Sequence, residues 1–112
     1  MSDIDFYNLF GAALAASDRD AFVSDWALSA MWGDAETDEI PDERVAMLVD
    51  MWDVAHMSVR EIRSRTGLTQ AAFCTRFCMP KRTLENWEGG KRSCPPYVRL
   101  MLAELSGAYT RP

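Results

Sequence analysis

The sequence predicts an all-α fold of six or seven helices, and three features support that prediction. Apolar residues recur at spacings of three and four along every segment that can be assigned, which is the period of an amphipathic helix. Capping residues and helix-ending glycines separate these segments. The alternation of apolar and polar residues that marks a half-buried strand does not stand out anywhere. We therefore expect helices throughout the chain.

The first half of the chain predicts three helices. Ser2 can cap the first helix, whose apolar residues are Ile4, Phe6, Tyr7, Leu9, Phe10 and Leu14. Residues 17–20 predict the start of a second helix, because the helix dipole favours acidic residues in the first turn. A polar acidic loop at 33–40 precedes the third helix, at 41–55. The inward stripe expected on that helix is Val45, Leu48, Val49 and Trp52.

The second half predicts four shorter helices. Ser58 and Glu61 form an S-x-x-E capping box at the start of the first, which Gly67 ends. A second helix, capped by Thr69, is expected to place four residues on or near its inner face: Ala71, Ala72, Phe73 and Phe77. The third covers 81–88. The fourth begins at prolines 95–96 and ends before Gly107.

Helix 81–88 has a narrow apolar stripe and a polar outer side. Leu84 and Trp87 lie three residues apart and therefore share one face. The polar residues left on the other side are Lys81, Arg82, Glu85 and Asn86. A helix that exposes basic and amide side chains suits the major groove of DNA. With the helix before it and the corner at 78–80, this segment reads as a helix-turn-helix.

A set of residues at fixed spacing carries a family signature: Gln70, Phe73, Thr83, Leu84, Asn86, Trp87, Glu88, Gly90, Lys91 and Pro95. In these positions the segment 58–105 resembles the Cro/phage-repressor (XRE-type) helix-turn-helix family, and most of all its antitoxin and phage-regulator-like subset. The resemblance implies operator binding, usually as a dimer, with 81–86 forming the recognition helix. It also implies a structural ion pair between Arg63 and Glu88. Two departures are Cys78, where the family commonly has Gly, and the long acidic segment before the motif.

Nine polar residues are the predicted DNA contacts: Thr69, Gln70, Lys81, Arg82, Thr83, Glu85, Asn86, Lys91 and Arg92. Thr69 and Gln70 begin a helix whose N-terminus can attract a phosphate, and Gln70 can also brace the recognition helix. On that helix the basic side chains suit guanine, Asn86 suits adenine, and Glu85 can accept from cytosine. Lys91 and Arg92 are placed to contact the phosphate backbone. Such contacts add salt-dependent affinity but carry no sequence information.

Charge divides the chain into two halves of opposite sign. The total of −5 combines 13 acids and two bases in residues 1–56, net −11, with ten bases and four acids in residues 57–112, net +6. We therefore predict an acidic helical N-terminal segment, 1–56, packed on or extending the core, and a helix-turn-helix DNA-binding domain, 57–112. The acidic face reads as a plain solvated face, a protein-partner surface, or a shield against non-specific DNA binding.

Composition favours a folded protein of the cytoplasm. The apolar fraction is 48%, which argues against disorder, and the length of 112 residues fits a single core. We find neither a basic-then-apolar leader nor an apolar run near 18 residues, so we expect no membrane association. The three cysteines, Cys74, Cys78 and Cys94, are an odd number and do not form a disulfide framework. Small buried thiols are the favoured interpretation, with metal or redox sensing as the alternative.

Enzyme chemistry has little support in the sequence. The chain has no phosphate-binding loop after a strand, no HExxH motif and no nucleophile elbow, and His56 has no obvious carboxylate or serine partner. We therefore expect no catalytic site, no metal and no cofactor.

The function expected is a sequence-specific DNA-binding transcriptional regulator: a repressor, with autoregulation of its own operon as one form. The alternative is a protein-binding inhibitor or antitoxin, including a phage anti-defence protein, that acts through the acidic N-terminal helices. A third hypothesis is a domain that keeps the fold without DNA binding. The partners expected are double-stranded DNA and a second copy, paired through the last helix (97–109) or through the region of Phe6, Phe10 and Trp26.

Overall fold

The computed structural model describes residues 1–33 and 39–112, and all regular structure in these two ranges is helical. The seven α-helices described are α1 (Asp3–Ala15), α2 (Arg19–Ala27), α3 (Asp42–Ala55), α4 (Val59–Thr66), α5 (Gln70–Phe77), α6 (Lys81–Glu88) and α7 (Pro96–Leu105), with a 3-10 turn at Ala30–Trp32. The prediction of an all-α fold with six or seven helices is confirmed. None of these helices is long and apolar enough to cross a membrane. The acidic loop predicted at 33–40 lies mostly outside the described residues.

The chain folds as two compact units, each with its own buried residues. We call Met1–His56, together with Pro112, the acidic unit, and Met57–Arg111 the basic unit. The length alone predicts a single core, and that prediction is wrong. Each half supplies enough large apolar side chains, Phe22 and Met51 in one and Phe73 and Leu84 in the other, to bury a centre of its own.

In the acidic unit, α3 packs against both α1 and α2. The core residues are Phe6, Leu9, Phe10, Ala13, Phe22, Ala27, Leu48, Met51, Val54 and Ala55. The helix starts follow the sequence signals, because Ser2 Oγ accepts from the Asp5 N–H at 3.1 Å and Asp18 Oδ1 accepts from the Asp20 N–H at 3.2 Å. The Trp52 indole N–H donates to the Ala16 carbonyl at 2.9 Å and so closes the end of α1 onto α3.

The inward face predicted for α3 is wrong in three of its four residues. Leu48 is buried as expected, but Val45, Val49 and Trp52 are only partly buried. The face that is buried consists of Leu48, Met51, Val54 and Ala55. Two stripes at helical spacing overlap on this helix, and α3 touches helices on two sides, so the position of its neighbours decides which stripe is covered.

In the basic unit, α4 contacts α6 and α7, and α5 contacts α6. One cluster of buried residues joins these helices: Val59, Phe73, Cys74, Leu84 and Leu102. Phe73 and Phe77 of α5 face this core as predicted, with their rings 4.8 Å apart. The expectation for Ala71 and Ala72 is wrong, since both are exposed and Cys74 is buried in their place.

Candidate nucleic-acid interface

A three-residue corner joins α5 to α6. Cys78 ends α5 in the left-handed region, with φ 51° and ψ 40°. The Met79 N–H donates to the Cys74 carbonyl at 2.9 Å, which is the long hydrogen bond of a Schellman motif. The Met79 side chain is partly buried against the core, and Pro80 then opens α6 with φ −60°. A residue with a Cβ costs about 1 kcal/mol in this conformation, so Cys78 is a mildly strained choice for the corner.

Helix α6 buries one side and exposes polar groups on the other. Leu84 is fully buried, and Trp87 is partly buried against the same core. The exposed side chains of α6 are Lys81, Arg82 and Glu85. Thr83 and Asn86 are partly buried at the edges of this exposed face. The helix is therefore held from behind by its apolar stripe while two cations and one carboxylate point outward.

The turn after α6 holds two more cations against the same helix. Gly90 adopts φ 76°. The chain then folds back, and the backbone N–H groups of Lys91 and Arg92 both donate to the Asn86 carbonyl, at 2.9 and 3.2 Å. Both side chains are exposed. Because the backbone of this turn is bonded to the last turn of α6, the two residues form one structural element with that helix.

The start of α5 is open to solvent. Thr69 Oγ1 accepts from the Ala72 N–H at 3.2 Å and so caps the helix. Thr69, Ala71 and Ala72 are exposed, and the two short alanine side chains leave the first turn accessible. Gln70 is predicted to contact a phosphate and also to brace α6. In the structure its amide nitrogen donates to Glu88 Oε1 at 3.3 Å, and this hydrogen bond is the bracing contact.

The buried carboxylate of Glu88 is the centre of a polar network behind the exposed face. The Arg63 guanidinium donates two hydrogen bonds to the Glu88 carboxylate, from Nε to Oε2 and from Nη2 to Oε1, each 2.8 Å long. The side chains are 18% and 1% exposed. Arg63 also donates to the Leu68 carbonyl at 3.0 Å, and Arg60 approaches Glu88 at 3.4 Å. With Gln70, these bonds fasten α4, the start of α5 and the end of α6 together.

Electrostatics keep this network ionised. The hydrogen bonds from Arg63 lower the pKa of Glu88 below its ordinary value of 4.5, and they outweigh the opposing effect of burial. The same hydrogen bond raises the pKa of Arg63. The pair is therefore charged at neutral pH and internally neutralised. The outward side of α6 and the turn after it carry four exposed cations: Lys81, Arg82, Lys91 and Arg92. Of the acids of α6, only Glu85 is exposed on the same side.

The cysteines only partly match the expectation of small buried thiols. All three are free, with Cys74 buried, Cys94 partly buried and Cys78 exposed. Burial raises the pKa of the Cys94 thiol, which favours the protonated form. Within residues 1–33 and 39–112, no three His, Cys, Asp or Glu side chains form a group that could hold a metal ion.

Two features of the site have no signal in the side-chain pattern. The Asn86 carbonyl that receives Lys91 and Arg92 is a backbone group, which every residue possesses. Arg60 joins Glu88 from a predicted helix surface, and nothing in its spacing distinguishes it from an ordinary solvated arginine. The Arg63–Glu88 geometry, by contrast, has the form that the family resemblance implied.

Comparison with protein-family models, with curated proteins and with solved structures found no match to this chain. The assignment of the site therefore rests on the residues and geometry of the chain itself.

Proposed function

We propose that the basic unit is a sequence-specific double-stranded DNA-binding module that places α6 in the major groove. The chain then acts as a transcriptional regulator, a repressor in the first instance, with its own operon as one target. The observation that carries this proposal is the two-sided construction of α6. Leu84 and Glu88 are fixed on the inner side while Lys81 and Arg82 project outward.

The dimensions of α6 fit this role. A helix with its side chains is about 10–12 Å across, close to the width of the B-DNA major groove. Eight residues rise about 12 Å, enough to face three or four base pairs. Helix-turn-helix modules read bases with the N-terminal residues of the second helix. Lys81 and Arg82 occupy that end and suit guanine, with Glu85 and Asn86 one turn later for cytosine and adenine.

The residues around α6 support phosphate contacts on both sides of a groove. The open first turn of α5 offers backbone N–H groups near Thr69, where an anion is favoured. Lys91 and Arg92 offer cations from the turn bonded to Asn86. Contacts of this kind fix the register of a protein on DNA and weaken as salt is added.

We propose that a second copy of the chain pairs with the first through α7. A module that faces three or four base pairs gains affinity and specificity by pairing, with two half-sites about 34 Å apart. Of the two surfaces that the sequence predicts, the region of Phe6, Phe10 and Trp26 offers less apolar area to a second copy, because both phenylalanines are buried in the acidic unit. The outward face of α7 exposes large apolar side chains at intervals of four residues: Tyr97, Met101 and Leu105. This stripe supports pairing through α7.

Fluorescence anisotropy tests the proposal with two labelled duplexes, one random and one taken from upstream of the chain's own coding sequence. We expect tighter binding to the upstream duplex, weakening steeply with salt. Arg82→Ala should reduce that binding by about tenfold or more. Arg111→Ala is the matched control, because it removes the same charge from a residue paired with Glu104 at 2.8 Å. Absence of binding to both duplexes at low salt, or equal losses in the two variants, would contradict the proposal.

A further inference from the structure

Helix α1 is apolar on its outward side as well as on its inward side. The inward side supplies Phe6, Leu9, Phe10 and Ala13 to the core. On the outward side Ile4 is 72% exposed and Tyr7 is 78% exposed. The same stripe continues at helical spacing through exposed residues without charge: Asn8, Gly11 and Ala15. Exposed apolar side chains that lie together on a helix mark a surface that a partner can cover. We call Ile4, Tyr7, Asn8, Gly11 and Ala15 the α1 outer stripe.

The shape of the α1 outer stripe suits a partner helix. Tyr7 and Ile4 provide one aromatic and one aliphatic anchor, and the Tyr7 hydroxyl can bond at the edge of a contact. At Gly11, apart from its chain neighbours and the backbone of its own helix, no atom lies within 4 Å of the position that a Cβ would occupy. Another main chain can therefore approach closely at the middle of the stripe while the larger side chains pack beside it.

The unit that carries the stripe is strongly negative. By sequence, residues 1–56 carry 13 acids and only two bases. Both bases are engaged inside the unit. Arg19 pairs with Asp53 at 3.2 Å, and Arg44 lies 4.7 Å from the ring centre of Trp32 while donating to the Ala27 carbonyl at 2.9 Å. Both arginines are thus engaged within the unit, and its acids outnumber them by 11.

Charge complementarity identifies the occupant of the stripe. Two copies that paired through α1 would bring net charges of −11 together, so Coulomb repulsion opposes self-association there. A cationic partner gains from the same field. We propose that the α1 outer stripe is the docking site for a basic amphipathic helix of a protein partner, with apolar anchors on Ile4 and Tyr7 and lysines or arginines drawn to the acidic unit. This interaction goes beyond DNA binding and does not depend on it.

The test uses a synthetic probe, a fluorescent peptide of about 18 residues with leucine and lysine at helical spacing. It is titrated with the full chain and with an Ile4→Ser/Tyr7→Ser variant, which keeps the net charge unchanged. Leu28→Ser is the matched control, since Leu28 is another exposed apolar residue of the acidic unit. We expect the double variant to bind the peptide at least about tenfold more weakly, and the control to bind it like the wild type.

A second variant separates loss of the site from loss of folding. Gly11→Gln places a bulky neutral side chain in open space on the stripe. Because glutamine favours the helix more than glycine does, α1 should fold at least as well as in the wild type. Circular dichroism should show unchanged helicity, while peptide binding falls. DNA binding of all these variants should equal that of the wild type, which keeps this test separate from that of the DNA proposal.

Three outcomes would overturn the proposal. Equal peptide binding by wild type and the double variant would mean that the acids attract cations without any docking surface. No peptide binding by the wild type at low salt would mean that the stripe has no affinity for such a helix. Self-association of the wild type in sedimentation velocity that the double variant loses would assign the stripe to a second copy.

Discussion

The acidic unit and the basic unit both hold most of their minority charges in internal contacts, and they therefore expose surfaces of opposite sign. In the acidic unit the two arginines are engaged by Asp53 and by Trp32 with the Ala27 carbonyl. In the basic unit three of the four acids are engaged: Glu61 by Ser58, Glu88 by Arg63 and Glu104 by Arg111. The net charge of −5 consequently describes neither surface.

The two units differ in how deeply that minority charge lies. Glu88 is 1% exposed and joins three helices, whereas Arg19 and Asp53 are 46% and 32% exposed at the surface of the acidic unit. A buried charge that loses its partner costs several kcal/mol, while an exposed pair contributes little. The Arg63–Glu88 pair is thus structural in the basic unit, whereas the Arg19–Asp53 pair is peripheral in the acidic unit. Substitutions of these charged residues test this difference.

Glu88→Ala should cause the largest loss. It leaves the partly buried Arg63 guanidinium without its carboxylate, which we expect to lower the free energy of unfolding of the basic unit by about 3 kcal/mol. The control is Glu104→Ala, which breaks a partly exposed pair with Arg111 and should cost less than about 1 kcal/mol. Urea unfolding, with hydrogen exchange of α4 to α6 to locate the loss, measures both. Equal costs would mean that burial does not distinguish the two pairs.

Acid should weaken the basic unit through the same residue. The pKa of Glu88 is lower in the folded chain than its ordinary value of 4.5, so the unfolded chain binds that proton first. The stabilisation is present above pH 4.5 and is lost as the pH falls through the lowered pKa. Urea unfolding between about pH 6 and pH 3 should show this slope in the wild type and a smaller slope in Glu88→Gln. The same slope in both chains would contradict the assignment.

Arg44→Ala should have a moderate effect confined to the acidic unit. It removes a cation over the Trp32 ring and a hydrogen bond to the Ala27 carbonyl, together worth about 1.5 kcal/mol. Arg19→Ala has the same charge change but breaks an exposed pair and should cost less than about 1 kcal/mol. Thermal unfolding followed by tryptophan fluorescence reports the acidic unit, which holds three of the four tryptophans. A larger cost for Arg19→Ala would reverse the comparison.

Cys78→Gly should have the smallest effect, and it should be favourable. Cys78 has φ 51°, which glycine adopts without the Cβ penalty, and its side chain is exposed, so no packing is lost. We expect a gain of about 0.5 kcal/mol in the basic unit and unchanged DNA affinity. Gly90→Ala, at φ 76°, should show the opposite sign in the same urea titration. A loss on Cys78→Gly would indicate that the thiol contributes to the corner.

Local signals predicted much of the fold. Ser2, Ser58 and Thr69 cap helices because a hydroxyl beside an open first turn has one favourable use, and that use is readable from neighbouring residues. The helix expected at 81–88 begins and ends at those residues, since Pro80 and Gly89 bound it. What failed depended on residues distant in sequence.

The failures share a physical cause. Which apolar stripe of α3 is buried depends on helices packed on two of its sides, and Leu48 belongs to both candidate stripes. Ala71 and Cys74 are both small and apolar, so periodicity does not say which one faces the core. The contact of Lys91 and Arg92 with α6 uses a backbone acceptor and leaves no mark in the sequence.

The most direct test of two surfaces of opposite charge is an amide NMR titration of the isotope-labelled full chain with a DNA duplex at low salt. We expect chemical-shift changes at the first turn of α5, along α6 and at Lys91 and Arg92, with α1 unchanged. Shifts centred on α1, or an α6 that does not respond while DNA is bound, would contradict the account.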